Sequence, residues 1–542
     1  MKKMKKIFSL IIMAAILLSV VAGCGSSGNT GNEDKATTQT TEQNVSGTEA
    51  TEEKNPFEKP VEFSFASFGS IAEDEFLDYV SKKFNVKIIP EALDWNNWDQ
   101  QVNTMMASND MPDILQWDHR PFKINMFKQW VDSEMLKPIP DISKYPNLKA
   151  LREKMTVMDY FQVDGKDYLW TKLRGDNKWN LTGAMGIVYR KDWAEKLGMA
   201  KDEYTLEEFM DLAIAFAAQD PAGNGAGKTA GYAEVGWAFP YLLGYYNPYA
   251  SGLVKIDGKY VWGATMPETL EGIKALRELY KAGGLWKDFY TAEDYDGNGL
   301  YMANRLGIWA DNLGAELNKL RTDFVNANPG ADPYKAVAVM KVRGKDGKYY
   351  MQEWDNTWSA YLYSATLTDE EMDRILAIMD WAAGEEGTKM CQFGFEGTDY
   401  EIKDGQIVTK WQKDEKGQVV KPAYMTTADA IRNMACLNGD FMYTDPTLDS
   451  KTVEDLMSLY KLATDYPDQV TLAKLNYELE FFSAPNRDKY LGTLGTDFKA
   501  AVMKIIVSTD DVEGEFNKFI EANQDKVNAI LKELEDAGLS AK

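Results

Sequence analysis

The chain has 542 residues, 44% of them hydrophobic, which is ample for more than one core and too long for a single small domain. Its 84 acidic against 60 basic side chains leave a formal charge of −24, which repels nucleic acid and an anionic membrane surface alike. One histidine and three cysteines exclude most imidazole triads, zinc clusters and disulfide scaffolds, whereas 15 Trp, 28 Tyr and 23 Phe are more rings than a core needs, so some should face a ligand.

Lys2, Lys3, Lys5 and Lys6 precede an apolar run from Ile7 to Ala22, and Val21-Ala22-Gly23-Cys24 closes it. The run falls short of the roughly 20 residues of a spanning helix, and small residues ahead of a cut suit a processing enzyme. The closing cysteine resembles a bacterial lipobox. This implies a signal peptide over 1–23 and diacylglycerol on the thiol of Cys24, two acyl chains being enough for a firm membrane anchor. Residues 24–56 are then a tether. Gly, Ser, Thr, Asn, Glu and Gln dominate it, so it cannot bury a core, and as a flexible coil it spans on the order of 30 Å.

Order is expected from Phe57. Val61, Phe63 and Phe65 alternate as a strand; Phe76, Leu77, Val80 and Phe84 share a helical face; Val86 and Ile88 begin a second strand. A helix through Trp98, Val102, Met105 and Met106 and a third strand at Ile114 to Trp117 complete a strand–helix alternation. That alternation predicts an α/β fold with a parallel sheet and right-handed crossovers. Ligands of such sheets sit beyond the carboxyl ends of the strands, here Ala66 to Ser70, Leu93 to Trp98 and Trp117 to Arg120. Trp95 and Trp98 lie among Asp94, Asn96 and Asn97, and Trp117 precedes Asp118, His119 and Arg120. Read singly, each Trp suits a core or lid position. Together, rings beside hydrogen-bonding groups suit the apolar face and hydroxyl rim of a sugar.

Ala184 to Trp193 reads as a strand passing into a helix that ends near Gly198. Thr205 with Glu208, Thr265 with Glu268 and Thr368 with Glu371 have capping-box spacing ahead of apolar helical runs. Short strands are predicted at Leu306 to Ala310 and Ala336 to Val342. Turns are expected from Asp399 to Val453, and an amphipathic helix or pair through Phe516, Phe519, Ile520, Val527, Ile530 and Leu531 closes the chain. Ala222 to Thr229 matches a loose phosphate-loop pattern, yet a helix precedes it and Ala230-Gly231-Tyr232 follows, the wrong order for converging amides on phosphate. Asp294-Tyr295-Asp296-Gly297-Asn298-Gly299 starts like a calcium loop but has Arg305 at its twelfth position, so it reads as a turn. Cys391 and Cys436 either pair or stay as buried thiols.

The whole pattern resembles the extracellular solute-binding proteins of family 1, the lipoproteins that feed ABC importers, and in particular their oligosaccharide-binding branch. The resemblance is carried by the order of Met111-Pro112-Asp113-Ile114, Val188-Tyr189-Arg190-Lys191-Asp192-Trp193, Pro267-Glu268-Thr269-Leu270-Glu271-Gly272-Ile273 and Phe393-Gly394-Phe395-Glu396-Gly397-Thr398-Asp399-Tyr400. It implies a two-lobed, periplasmic-binding-protein-like (type II) fold with hinge strands and the ligand in the cleft. Lobe 1 would take 57–186 with a return at about 353–450, and lobe 2 would take 187–352 with C-terminal helices at about 451–542. Ile187-Val188-Tyr189 would be one crossing and the stretch from Trp354 to Trp358 a return.

Carried onto this sequence, the family's cleft segments fall at Trp117, Asp118, His119 and Arg120, at Glu234 and Trp237, and at Trp309, Asp311 and Asn312. Trp354, Asp355 and Trp358 fall where the chain recrosses. The stretch from Asp220 also resembles the family's calcium loop. Only Asp220 and Asn224 keep its spacing, and Ala222 and Lys228 stand where relatives offer oxygen, so no cofactor or metal is expected. Basic residues show no cluster for uronates, although Arg120 and Arg190 could serve one. The function implied is capture of an oligosaccharide by a single anchored chain and its delivery to a permease, without catalysis. The competing readings are a secreted glycan-cleaving enzyme, which needs only two carboxylates about 5 to 10 Å apart, and peptide or lipid capture with fewer stacked rings.

Overall fold

The computed structural model describes residues 57–69, 71–120, 123–174, 185–353, 355–403, 405–415, 419–437 and 448–541. The expected signal peptide, Cys24, the tether and Trp354 lie outside them. No helix among the described residues is long and apolar enough to cross a membrane.

The alternation of Phe63 and Phe65 produces the strand Val61–Ser67, with both rings buried. The next helix, Glu75–Phe84, starts where Asp74 accepts hydrogen bonds from the N–H groups of Phe76 and Leu77, and it stops at Asn85 in the left-handed region. Its Phe76, Val80 and Phe84 stripe packs on the sheet. The resulting five-stranded sheet runs Val86–Ala92, Val61–Ser67, Ile114–Trp117, Thr357–Tyr363, Leu169–Leu173. Its first three strands are parallel, with Phe63 opposite Ile88 and Phe65 opposite Ile114. Thr357–Tyr363 inserts antiparallel between Ile114–Trp117 and Leu169–Leu173, so Leu169–Leu173 points the same way as the parallel three.

The second body contains a four-stranded sheet in the order Ala338–Met340, Met185–Tyr189, Leu306–Asn312, Ala230–Glu234 and another of Val470–Ala473, Tyr349–Gln352, Val342–Arg343, Tyr204–Thr205. The molecule is thus an α/β, two-lobed fold. The core of the first lobe draws on 63–173 and 360–436, while those of the second draw on 187–342 and on the C-terminal helices Pro485–Ser508 and Val512–Asp536. Ile187-Val188-Tyr189 does not bridge the bodies. It lies in the inner strand of the second lobe's sheet, paired on both sides.

Other expectations are corrected locally. Thr205 and Thr368 form capping boxes with Glu208 and Glu371, but Thr265 does not, because Pro267 at the first helical position makes Met266 the cap. The stretch after Asp399 holds a hairpin, Tyr400–Lys403 with Gln406–Thr409, and a helix, Met425–Asn433, that tertiary packing stabilises. The turn expected at Asp294 is the approach to a short helix, Asp296–Met302. Cys391 and Cys436 are buried and free. The helix Leu206–Gln219 lies so close on Ala230–Glu234 that a Cβ on Gly231 would fall 2.0 Å from the carbonyl oxygen of Ala213.

Candidate ligand cleft

Four strand ends share one edge of the first sheet: the carboxyl ends of Val61–Ser67, Ile114–Trp117 and Leu169–Leu173 and the amino end of Thr357–Tyr363. Phe68, the stretch Asp118-His119-Arg120, the stretch Lys172-Leu173-Arg174 and the stretch Asp355 to Ser359 therefore line one rim. Trp95 and Trp98 join them from the 3-10 turn Trp95–Asn97, capped by Asp94, and the helix Trp98–Ser108.

Four rings build a shelf there. Phe68 lies 5.3 Å from Trp95, 4.7 Å from Trp98 and 6.3 Å from Trp358, and Trp95 stacks on Trp98 and Trp358 at 6.0 and 6.3 Å. Trp95, 42% exposed, is its open face. Buried Gln116 ties it down. Its side chain accepts from Phe68 N at 3.2 Å and donates to Ser359 Oγ at 3.0 Å, and its carbonyl accepts from Trp98 Nε1 at 3.0 Å. A bulge between Thr357 and Ala360, with Ser359 at φ 50°, sets the direction of Trp358. Behind that ring sits Lys172, 2% exposed, its Nζ 4.3 Å from the centroid. Burial pulls its ammonium down to about 7.

The polar part of the rim follows. The hydroxyl of Thr357 donates to Asp355 at 2.9 Å, so it accepts from Nε2 of His119 at 3.0 Å. That places the imidazole proton on Nε2 and leaves Nδ1 a buried acceptor without a partner. Burial holds His119 at about 4, hence neutral at pH 7. Asp118 accepts from Arg120 Nε and Lys123 Nζ, both at 3.0 Å, and Lys123 also reaches Asp99 at 2.6 Å. Burial lowers Arg174 to about 10 against the opposing pull of Asp355. The C-terminal segment closes one side: Phe481 stacks on Tyr160 at 4.1 Å, and Asn125 donates to Asp488 at 2.7 Å.

On the second lobe, Leu306–Asn312 and Ala230–Glu234 run parallel and end together, Ala310 opposite Glu234. Glu234 accepts from the hydroxyl of Tyr232 and from Tyr241 N at 3.2 Å, and burial raises it to about 7. Trp237 is half-buried and bonds Tyr295, a ring 42% exposed. Burial also raises Glu316.

Several expected ligand contacts are corrected. Trp117, 1% exposed, lies inside the first lobe, 5.8 Å from Phe127 and 5.5 Å from Trp130. Trp309, with no exposed surface, lies inside the second, against Gly297. Both stand on strands covered on two faces, where every ring points into a core. Asp311 is buried with Trp309, accepting its Nε1 at 2.9 Å and Asn312 N at 2.7 Å, so it braces the strand end. Arg190 is also buried, clamped by Asp192 and Asn304 and lying 4.2 Å over Trp193. Phe68 lies in the strand-end stretch expected to meet a ligand without having been singled out, and the sequence reading missed Lys172, Arg174 and Tyr295. A lysine inside the apolar run Leu169-Trp170-Thr171-Lys172-Leu173 was the available signal.

A separate cavity of about 40 Å³ in the second lobe, lined by Tyr241, Tyr245, Tyr349 and Tyr350 among others, has room for water and none for a sugar ring. In the loop 220–229, the carboxylate of Asp220 accepts from Asn224 N at 3.1 Å, Gly225 N at 2.7 Å and the hydroxyl of Thr229. Among the described residues, no three His, Cys, Asp or Glu side chains converge as a metal site.

The sequence pattern of the bacterial extracellular solute-binding proteins matches residues 64–389. This chain belongs to that family. The solute-binding protein is similar to the polygalacturonan/rhamnogalacturonan-binding protein YtcQ of Bacillus subtilis (strain 168), with 23% identity over 486 residues, 87% of this chain and 89% of the relative. Among solved structures it is similar to the alginate-binding protein AlgQ2 without calcium ion, with a TM-score of 0.64 and 16% identity over 88% of this chain and 97% of the other. It is similar too to the ABC-transporter substrate-binding protein FusA of S. pneumoniae in complex with kestose, with a TM-score of 0.60 and 18% identity over 88% and 99%. These two structural likenesses agree with the two-lobed architecture.

Core and shelf tryptophans should separate in urea unfolding. Trp117→Ala is expected to cost about 3–5 kcal/mol and Trp95→Ala about 1 kcal/mol or less; equal losses would contradict the assignment. Glu234 has a folded-state pKa near 7 against an ordinary 4.5, so its contribution is full below 4.5 and is lost as pH rises through 7. Glu234→Gln, neutral throughout, should therefore gain in melting temperature relative to the parent between pH 5 and pH 8. A constant difference across that range would refute a neutral buried Glu234.

Proposed function

We propose that this solute-binding protein captures an oligosaccharide outside the cell, anchored through lipid on Cys24, and hands it to the permease of an ABC importer. The observation that carries the reading is the shelf of Phe68, Trp95, Trp98 and Trp358 beside hydrogen-bonding groups at the carboxyl edge of a parallel sheet. Flat rings cover the C–H face of a pyranose while the rim meets its hydroxyls. A lobe on each side lets ligand favour closure, since only the closed state touches it from both. The ligands named for the relatives, galacturonans, alginate and kestose, are all glycans.

The rim carboxylates bear on catalysis. Asp118 is engaged by two cations, Asp355 by Thr357 and Glu234 by Tyr232 and Tyr241. With these commitments, capture without cleavage is the better reading. It needs no cofactor, and the loop at Asp220 holds its shape through its own hydrogen bonds, Ala222 and Lys228 adding no carboxylate for a cation.

Tryptophan fluorescence titration with a panel of neutral and acidic oligosaccharides tests the reading. At least one glycan should quench or shift the emission and be recovered uncut, and Trp95→Ala should weaken it about tenfold; silence toward the whole panel overturns it. Cys24→Ala should release the protein from membranes into the medium, and undiminished membrane retention would refute the lipid anchor.

A further inference from the structure

Resting on the oligosaccharide reading, we propose that the ligand is anionic. The class is a uronate-containing oligosaccharide, whose carboxylate is received by the terminal N–H groups of Arg120, beside His119 and Arg174, at the ends of Ile114–Trp117 and Leu169–Leu173.

The geometry of Arg120 is the starting point. Its Nε is fastened to Asp118 at 3.0 and 3.2 Å, and its two terminal nitrogens form no hydrogen bond among the described residues. The side chain is 64% exposed. A guanidinium tethered at Nε presents the remaining edge of its fork with one orientation already chosen, which suits a carboxylate accepting two parallel N–H bonds. The charge of Arg120 is felt at His119, Arg174 and Glu480, so these groups are its neighbours around the rim.

Lys172 adds a titratable ammonium on the same edge. Its ammonium is almost wholly buried, rests on Trp358 and Tyr361, and has no hydrogen-bond acceptor or ion-pair partner among the described residues. Burial brings it near neutrality against the pull of Asp429, and an anion bound nearby favours its charged form. Of the carboxyl groups around Arg120, Asp118 is engaged by Arg120 and Lys123, Asp355 accepts from Thr357, and burial raises Glu480 toward its neutral form. Burial suppresses the charge of Glu234 and raises Glu316, so those carboxyls suit the hydroxyl side of the sugar.

Isothermal titration of the full chain with trigalacturonate and trimannuronate, each beside its carboxyl-reduced neutral counterpart, tests the proposal. The uronates should bind about tenfold or more tighter than the reduced sugars, and added salt should narrow the gap. Arg120→Gln, at an exposed position, should abolish the difference in affinity between each uronate and its reduced counterpart. Equal affinity for acidic and reduced forms, or an Arg120→Gln variant that weakens both alike, overturns the uronate assignment alone. Failure of all four sugars to bind also overturns the uronate assignment, and the oligosaccharide reading falls with it only if the wider panel is silent too.

Discussion

The buried side chain of Gln116 holds the carboxyl edge of the first lobe's sheet together. One amide accepts from the backbone after Val61–Ser67 and donates to Ser359 on the neighbouring antiparallel strand, while the carbonyl of the same residue receives the indole of Trp98. Phe68, Trp98 and Trp358 approach one another because those three hydrogen bonds converge on one residue. In a low-dielectric interior a fully bonded amide is rigid, and a partly bonded one is expensive. The aromatic shelf is therefore a consequence of a polar junction beneath it.

The same economy of position explains where the charges sit. Parallel strands end at one edge, so the residues that follow them gather there. Leu169–Leu173 reaches that edge only because Thr357–Tyr363 enters the sheet antiparallel and reverses direction between them. Lys172 and Arg174 thus come to lie beside His119 and Arg120, from which some 50 residues of chain separate them. Burial then sets protonation: His119 is kept neutral, Lys172 is brought near neutrality, and Glu234 on the second lobe is kept largely uncharged below pH 7.

Much of the first lobe was legible from local pattern. The period-two run Val61, Phe63, Phe65, the helical stripe Phe76, Val80, Phe84 and the capping boxes at Thr205 and Thr368 are encoded within a few residues of themselves. The Trp95 and Trp98 pair was legible for the same reason, since it follows a strand directly. Trp117 and Trp309 were misjudged because a tryptophan on a strand faces one side or the other, and what covers each side depends on helices distant in sequence. The helix Met425–Asn433 escaped notice because its weak local signal is supplemented by packing on Glu75–Phe84 and Asp369–Ala383.

By itself the amino-acid sequence determined the alternation of strands and helices, the strongly acidic balance, the surplus of rings and the family to which the chain belongs. These are properties of composition and short-range periodicity, which survive without knowledge of partners. Only the tertiary structure decided which rings share a shelf, that Lys172 and Arg174 stand on the rim, and that Asp311 and Arg190 do not face a ligand. Burial and pairing are relations between segments brought together by sheet order, and sheet order is not written in any one stretch of the chain.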